Sequence, residues 1–364
     1  MQIDFHHAVT YVLARLAGFD DRDAGVIGYA AQYVDDATNS GEISFVNGAR
    51  YSRISSAHKM LDYRNFRTLA NARVWVPFHF LPGNGGKPAG ADPEGSFIRK
   101  LVCRPNSPVA VEMVERAVSA HGEPCALHRL GITMHVYADT WAHQGFAGVS
   151  HPINTVRDLS DGDGKLDLTF RDRVRDYFGD LHDLLANEAA DGLMLGHGAA
   201  LSHPDKPFLR WSYTNGLKEK VVRDNPADFV QAALHLFDAM RMFRVTAGRP
   251  TPNGMAPADR DLIERNIREF QETEGEERHA RWLECIAAGE FSFGRARLSY
   301  VAKGEGSWKF SALGTTEDKQ TREDGYEFTP AFLRSDWKLF HDALQAHRLA
   351  VLHDILPRYG ICAA

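Results

Sequence analysis

Apolar positions recur at helical spacing through most of the chain. Residues 5–18 predict a helix that stops at Gly18, and 20–38 predict a second. The acidic first turn of that second helix (Asp20, Asp21, Asp23) suits the positive end of a helix. Residues 41–54 predict a hairpin that turns at Asn47-Gly48, a pair tolerant of left-handed backbone. A helix near 63–74 precedes the loop PGNGGKPAGADPEG (82–95). Ser107 caps a helix running to about residue 120, with Pro108 in its first position. Helices are expected at 124–144, 169–191, 225–245, 257–273, 275–288 and 332–357. Segments 148–168 and 192–224 read as irregular, and 291–331 as mixed loop with room for one hairpin. The pattern predicts a mainly α, multi-helix single domain (1–364) with minor β-hairpins, in which helices from 225 onward could form a C-terminal lobe (225–364).

At 364 residues and 44% hydrophobic, the chain buries a core without disulfides. Its net charge of −6, with both signs well mixed, argues against a broad footprint for duplex nucleic acid and leaves a local basic groove open. Cys103, Cys125, Cys285 and Cys362 are too scattered for a disulfide framework or a cysteine-rich metal ribbon. The start lacks a basic leader, and no run of eighteen apolar residues occurs. A soluble, cytoplasmic protein without a membrane span is therefore expected, with leaderless export left open. Partner proteins stay unassigned.

Histidine changes the picture, with seventeen in the chain. In the segment PCALHRLGITMHVYADTWAHQGFAG (124–148), His128, His135, Asp139 and His143 fall on one face of a helix, given about 100° per residue. Leu127, Leu130, Met134, Tyr137 and Trp141 take the other. Side chains four apart are neighbours on a helix surface, so His135, Asp139 and His143 can chelate one ion or two adjacent ones. A solvated polar face is the alternative, but no Lys, Glu or Gln falls between His135 and His143. Asp4, His6 and His7 open the first helix, and Asp35-Asp36 close the second. Carboxylates at a helix C-terminus oppose its dipole, and a bound cation would reverse that cost; a plain turn at Asp36 is the competing reading. His58 and His79 stand alone, the latter between Phe78 and Phe80 and in need of a buried partner, protein or metal. His197, His203 and Asp205 lie in a Gly- and Pro-containing loop and read equally as a rim or as ordinary loop residues. His151 is a weaker candidate.

Other motifs fail on spacing. Setting Gly164 at the sixth position of a calcium loop puts Leu159 and Phe170 where carboxylates belong. The His-Asp pairs at 182–183, 341–342 and 353–354 invite comparison with HD phosphohydrolases, yet adjacent helical residues diverge by about 100°. No phosphate loop, nucleophile elbow or local cysteine-nucleophile signature is present.

The segments MQIDFHHAVTYVLARLAGF, AAQYVDDAT and GITMHVYADTWAHQGFAG resemble a microbial domain family of unknown function. More distantly, the order His6, Asp35 or Asp36, His58, His135-xxx-Asp139, His143 is similar to the ligand order of the zinc-dependent phospholipase C and P1 nuclease superfamily. That resemblance implies an all-α fold, up to three zinc ions, and phosphodiester chemistry with Asp139 bridging two ions. The superfamily uses the amine of an N-terminal Trp as a ligand, whereas here Met1-Gln2 precede the motif. The histidine after HxxxD also comes sooner, and a later HxxxE/D pair is missing unless His197, His203 and Asp205 replace it. Mono-, di- and trinuclear sites all remain open. The expected protein is a metal-dependent hydrolase acting on phosphoesters, either a small molecule or a phosphodiester. It would use zinc or another divalent ion held by His6, His7, Asp35, Asp36, His58, His135, Asp139, His143, His197 and His203, with Asp139 catalytic. A structural-metal or toxin-associated module without turnover is the alternative.

Overall fold

The computed structural model describes residues 1–57, 72–162, 195–317 and 325–362. The architecture is mainly α-helical with two small antiparallel sheets. A π-helical turn, Asp4–Val9, runs without a break into α1 (Thr10–Leu16). The side chain of Asp20 caps α2 (Asp21–Asp36) by accepting from the Asp23 amide. The expected hairpin forms from β1 (Gly41–Ser44) and β2 (Arg50–Arg53), with Ile43 opposite Tyr51. The Asn47 side chain accepts from the Ala49 amide, and Gly48 has a φ of 85°.

Two short helices follow, α3 (Trp75–Phe78) and α4 (Ile98–Leu101). Next come α5 (Pro108–Ser119), capped by Ser107, and the central α6 (Ala126–Ala142). β3 (Arg157–Asp161), β4 (Arg210–Thr214) and β5 (Lys220–Asp224) make a three-stranded sheet in sequence order. It lies where irregular chain was expected. The clue was the Asn215-Gly216 turn between β4 and β5, a second copy of the signal at 47–48. The chain then forms α7 (Asn225–Thr246), α8 (Pro257–Glu269), α9 (Gly275–Ala288), α10 (Trp308–Leu313) and α11 (Asp336–Leu349). A π turn and a 3-10 turn carry α11 on to Tyr359. Between 291 and 331 the described residues form no hairpin. Tyr300 and Trp308 from this stretch pack on Tyr29 of α2 instead.

α6 passes through the middle of the molecule, in contact with α2, α5, α7 and α11. Every residue of it except Leu127 is buried, so neither of its faces meets solvent. Leu130, Met134, Tyr137 and Trp141 join a cluster with Phe229, Leu236, Phe237 and Met240 of α7. Ile132 joins another with Tyr29 and Tyr33 of α2 and Phe340 and Leu344 of α11. The first cluster runs from Met1 to Ile361, so helices beyond 225 share apolar packing with the N-terminal ones. α2 crosses α6 at Gly131. A Cβ there would lie 2.4 Å from the Ile27 carbonyl oxygen and 2.7 Å from Ala30 Cβ. Glycine thus lets the two helices carrying Asp35 and His135 approach closely. No helix among the described residues is long and apolar enough to cross a membrane.

Candidate metal centre

His135, Asp139 and His143 project one above the other at the C-terminal end of α6, and all three are buried. His135 Nε2 is 3.2 Å and His143 Nδ1 3.5 Å from Asp139 Oδ2. The first helical turn brings His6 Nε2 to 3.2 Å from Asp139 Oδ1, with the His6 ring stacked on His135 at 3.8 Å. Asp35, in the last turn of α2, places Oδ1 3.8 Å from both His135 Nε2 and His79 Nδ1. His79 follows α3 directly, and its Nδ1 is 3.4 Å from Asp139 Oδ2. On the far side of Asp139, Asp205 faces His143 Nε2 at 3.3 Å and His197 Nε2 at 3.5 Å.

The hydrogen bonds of these rings fix their tautomers. His135 Nδ1 donates to the Ala31 carbonyl at 2.8 Å, His79 Nε2 to the Ser56 carbonyl at 2.9 Å, and His197 Nδ1 to the Leu201 carbonyl at 2.8 Å. His143 Nδ1 donates to the carbonyl of His79 at 2.7 Å. A carbonyl oxygen only accepts, so each of these nitrogens carries its ring's proton. In the neutral ring the other nitrogen is then a bare lone pair, and all four of those face carboxylate oxygens. His6 lacks a hydrogen-bond partner on either ring nitrogen, as does Asp139 Oδ2. Lone pairs aimed at lone pairs repel unless a proton or a metal cation lies between them. An imidazole that donates one N–H to a backbone carbonyl and turns its other nitrogen inward has the arrangement of a metal ligand.

The donor atoms form three groups, each within 4.8 Å: His6, Asp35 and His135; His79, His135 and Asp139; and His143, His197 and Asp205. His135 belongs to two of them; Asp139 belongs to one, and His6 of another lies 3.2 Å from its Oδ1. The Met1 amine joins the halves, at 2.6 Å from Asp139 Oδ1 and 3.2 Å from Asp205 Oδ1. Arg278 of α9 holds this end of the chain through Asp4 (2.6 Å) and Gln2 (2.5 Å).

Burial pushes His6, His135 and His197 each down to about 4, which keeps the rings neutral and able to ligate. Burial acts on His79 too, but Asp139 and Asp35 outweigh it and raise that ring. Asp35 is raised by burial. For Asp139, the His143, Met1 amine, His135 and His6 charges overcome desolvation and hold the carboxyl well below its usual range. Desolvation of the Met1 amine is outweighed by Asp139, Asp205 and Asp35, which raise it to about 11.

Of the residues expected from the sequence, the fold brings together His6, Asp35, His135, Asp139, His143 and His197. Three others it turns away. His7, one step round the helix from His6, meets His279 Nε2 at 2.8 Å. Asp36 accepts from Tyr300 at 2.6 Å and Gln32 at 3.2 Å, so protein donors rather than an ion satisfy that carboxylate. His203 Nδ1 bonds the Ala200 carbonyl, and its ring packs on Trp211. His58 lies outside the described residues, as does the 182–183 pair. The site's remaining members are His79, Asp205 and the Met1 amine. Burial between two phenylalanines flagged the first, and the second was noted only as a member of the loop with His197 and His203; nothing in the sequence marked the amine. His341 and His353 belong to none of the three groups.

With only nitrogen and oxygen donors, the groups suit zinc and other borderline divalent ions rather than soft thiophilic ones. A family model, DUF6765, described as a family of unknown function, matches residues 1–355. No curated protein and no solved structure matches.

Proposed function

We propose, for a chain that belongs to the DUF6765 family of unknown function, that the three groups hold one to three divalent ions, zinc foremost, and that the protein hydrolyses phosphoester bonds. One observation carries this reading: four imidazoles, each tied by one nitrogen to a backbone carbonyl, turn the other toward buried carboxylates. The ligand order along the chain, with its likeness to the phospholipase C and P1 nuclease superfamily, supports the choice of phosphoesters. Bound ions supply positive charge to a phosphoryl oxygen and lower the pKa of a water toward neutrality.

The chain's own groups do the rest. Asp139 links the first two groups, facing His6 of one and His135 of both. Asp35, a third exposed, is the most accessible carboxylate of the three groups. Ala31, Ser56, Leu201 and His79 carbonyls hold the rings in one tautomer, so no reorientation is required when an ion binds.

Purified protein is expected to carry stoichiometric zinc and to hydrolyse bis(p-nitrophenyl) phosphate, with activity lost to a chelator and restored by zinc. Protein that is metal-free as purified and stays so on zinc addition overturns the proposal. The near-complete burial of His135 and Asp139 favours a second reading, a closed structural ion. A fully bound protein with four protein ligands per ion and no turnover would establish that reading instead.

A further inference from the structure

The third group, His143, His197 and Asp205, is assembled from two walls that are distant in sequence. His143 follows the last residue of α6, and Asp205 closes a 3-10 turn before β4. The strand-to-helix junction at β5 and α7 touches both walls. Arg223, 3% exposed, donates to the carbonyls of Trp141 (2.8 Å), Ala142 (3.1 Å) and Gln144 (3.4 Å). The last carbonyls of a helix have no partner within it, and here one guanidinium takes the two on either side of His143. Asp228 pairs with the same guanidinium at 3.2 Å and fixes its plane.

Two residues on, Asn225 is fully buried. Its Nδ2 donates to the carbonyls of His203 (2.7 Å) and Lys206 (2.8 Å), which bracket Asp205. Trp211 donates to Asn225 Oδ1 at 3.0 Å and sets which way the amide faces. Trp211 is also the β4 partner of Arg223, and the guanidinium lies over its ring.

We infer that Arg223 and Asn225 are positioning residues for an ion at His143, His197 and Asp205, setting the distance between the two walls that hold it. Neither touches a donor atom of the group; each grips the backbone on both sides of one ligand. The inference rests on the metal reading above. It adds that this ion has its own support, separate from that of His6, Asp35 and His135. Lysine in place of Arg223 keeps the charge but is a point donor without the planar fork, so it cannot bracket His143. Serine in place of Asn225 cannot span both carbonyls.

The test is a cobalt(II) titration of the full chain followed by d–d absorbance, with thermal unfolding to show that each variant is folded. Wild type is expected to bind in more than one class, and His143→Ala removes one. Arg223→Lys and Asn225→Ser should each weaken that same class by about ten- to a hundred-fold, the range for groups that orient ligands. The class surviving His143→Ala should stay unchanged. Adding Arg223→Lys to His143→Ala should change cobalt binding no further. The two variants probe different walls, so one that fails to fold leaves the other to decide. Equal weakening of every class, or an affinity within twofold of wild type in a folded variant, overturns the inference. Wild type that binds no cobalt brings down the metal reading itself, before any variant is considered.

Discussion

Three histidines lie along one face of α6, and their fates differ. His128 bonds Asp336, a carboxylate 45% exposed on its side chain, and packs near Trp308. His135 and His143 point into a buried knot of carboxylates, and each has one nitrogen tied to a backbone carbonyl. All three fall on one side of the helix, seven and eight residues apart. What separates a structural imidazole from a candidate ligand is what other elements deliver to it. α2 brings Asp35 and the first turn brings His6, whereas α11 offers His128 only a single surface acid.

Asp139→Asn attacks the contrast at its centre. It removes the carboxylate that His6, His79 and His135 face, and leaves the buried Met1 amine and neighbouring rings under-compensated. Breaking a buried ion pair from one side costs about 3–5 kcal/mol. Metal held through His135 should be lost and the melting temperature should drop sharply; unchanged metal content in folded Asp139→Asn would show that this carboxylate holds no ion.

Acid tests the buried cluster next. His6, His135 and His197 have folded pKa values of about 4, below the unfolded 6.5. The unfolded chain therefore binds more protons between those values, and stability falls as pH drops from about 6.5 to about 4. Asp35, raised by burial, works in the opposite sense, but three rings outweigh one carboxyl. Metal-free protein should lose denaturant stability across this window, and metal should dissociate in it because ligands must be unprotonated. A stability profile flat from pH 6.5 to 4 would contradict the burial of these rings.

Gly131→Ala sharpens the comparison more gently by prising α2 from α6. The added Cβ meets the Ile27 carbonyl, and overpacking of this kind costs about 1–3 kcal/mol. Zinc affinity should weaken with it, because the Asp35 to His135 distance is set at this crossing. Unchanged stability would show that the helices can part freely. The smallest effect belongs to His128→Ala, which should leave metal content untouched and cost about 1 kcal/mol, since its acid partner is half in water. Loss of metal in this variant would erase the distinction between the ends of α6.

The helices at 20–38, 108–120, 124–144, 225–245 and 275–288 were legible because periodicity, caps and breakers are local properties of the sequence. So was the hairpin at 41–54. The β3–β4–β5 sheet was obscured by glycine, proline and histidine, and although β4 and β5 form a local hairpin, β3 joins them through partners such as Asp161 and Trp211 that are distant in sequence. His135, Asp139 and His143 were legible as a row because helix geometry converts a spacing of four into adjacency. His6 could not be told from His7, nor Asp35 from Asp36, since neighbours in a helix face different ways and only the packed partner picks between them.

The amino-acid order by itself determined a mainly helical chain, the central helix and the row of donors upon it. The tertiary structure alone decided that this helix is enclosed on every side, that His79, Asp205 and the Met1 amine join the row, and that His7, Asp36 and His203 do not. Local propensity is written over a few neighbouring residues. Convergence of donors depends on which surfaces pack together, and that is settled by burial of apolar area across the whole fold.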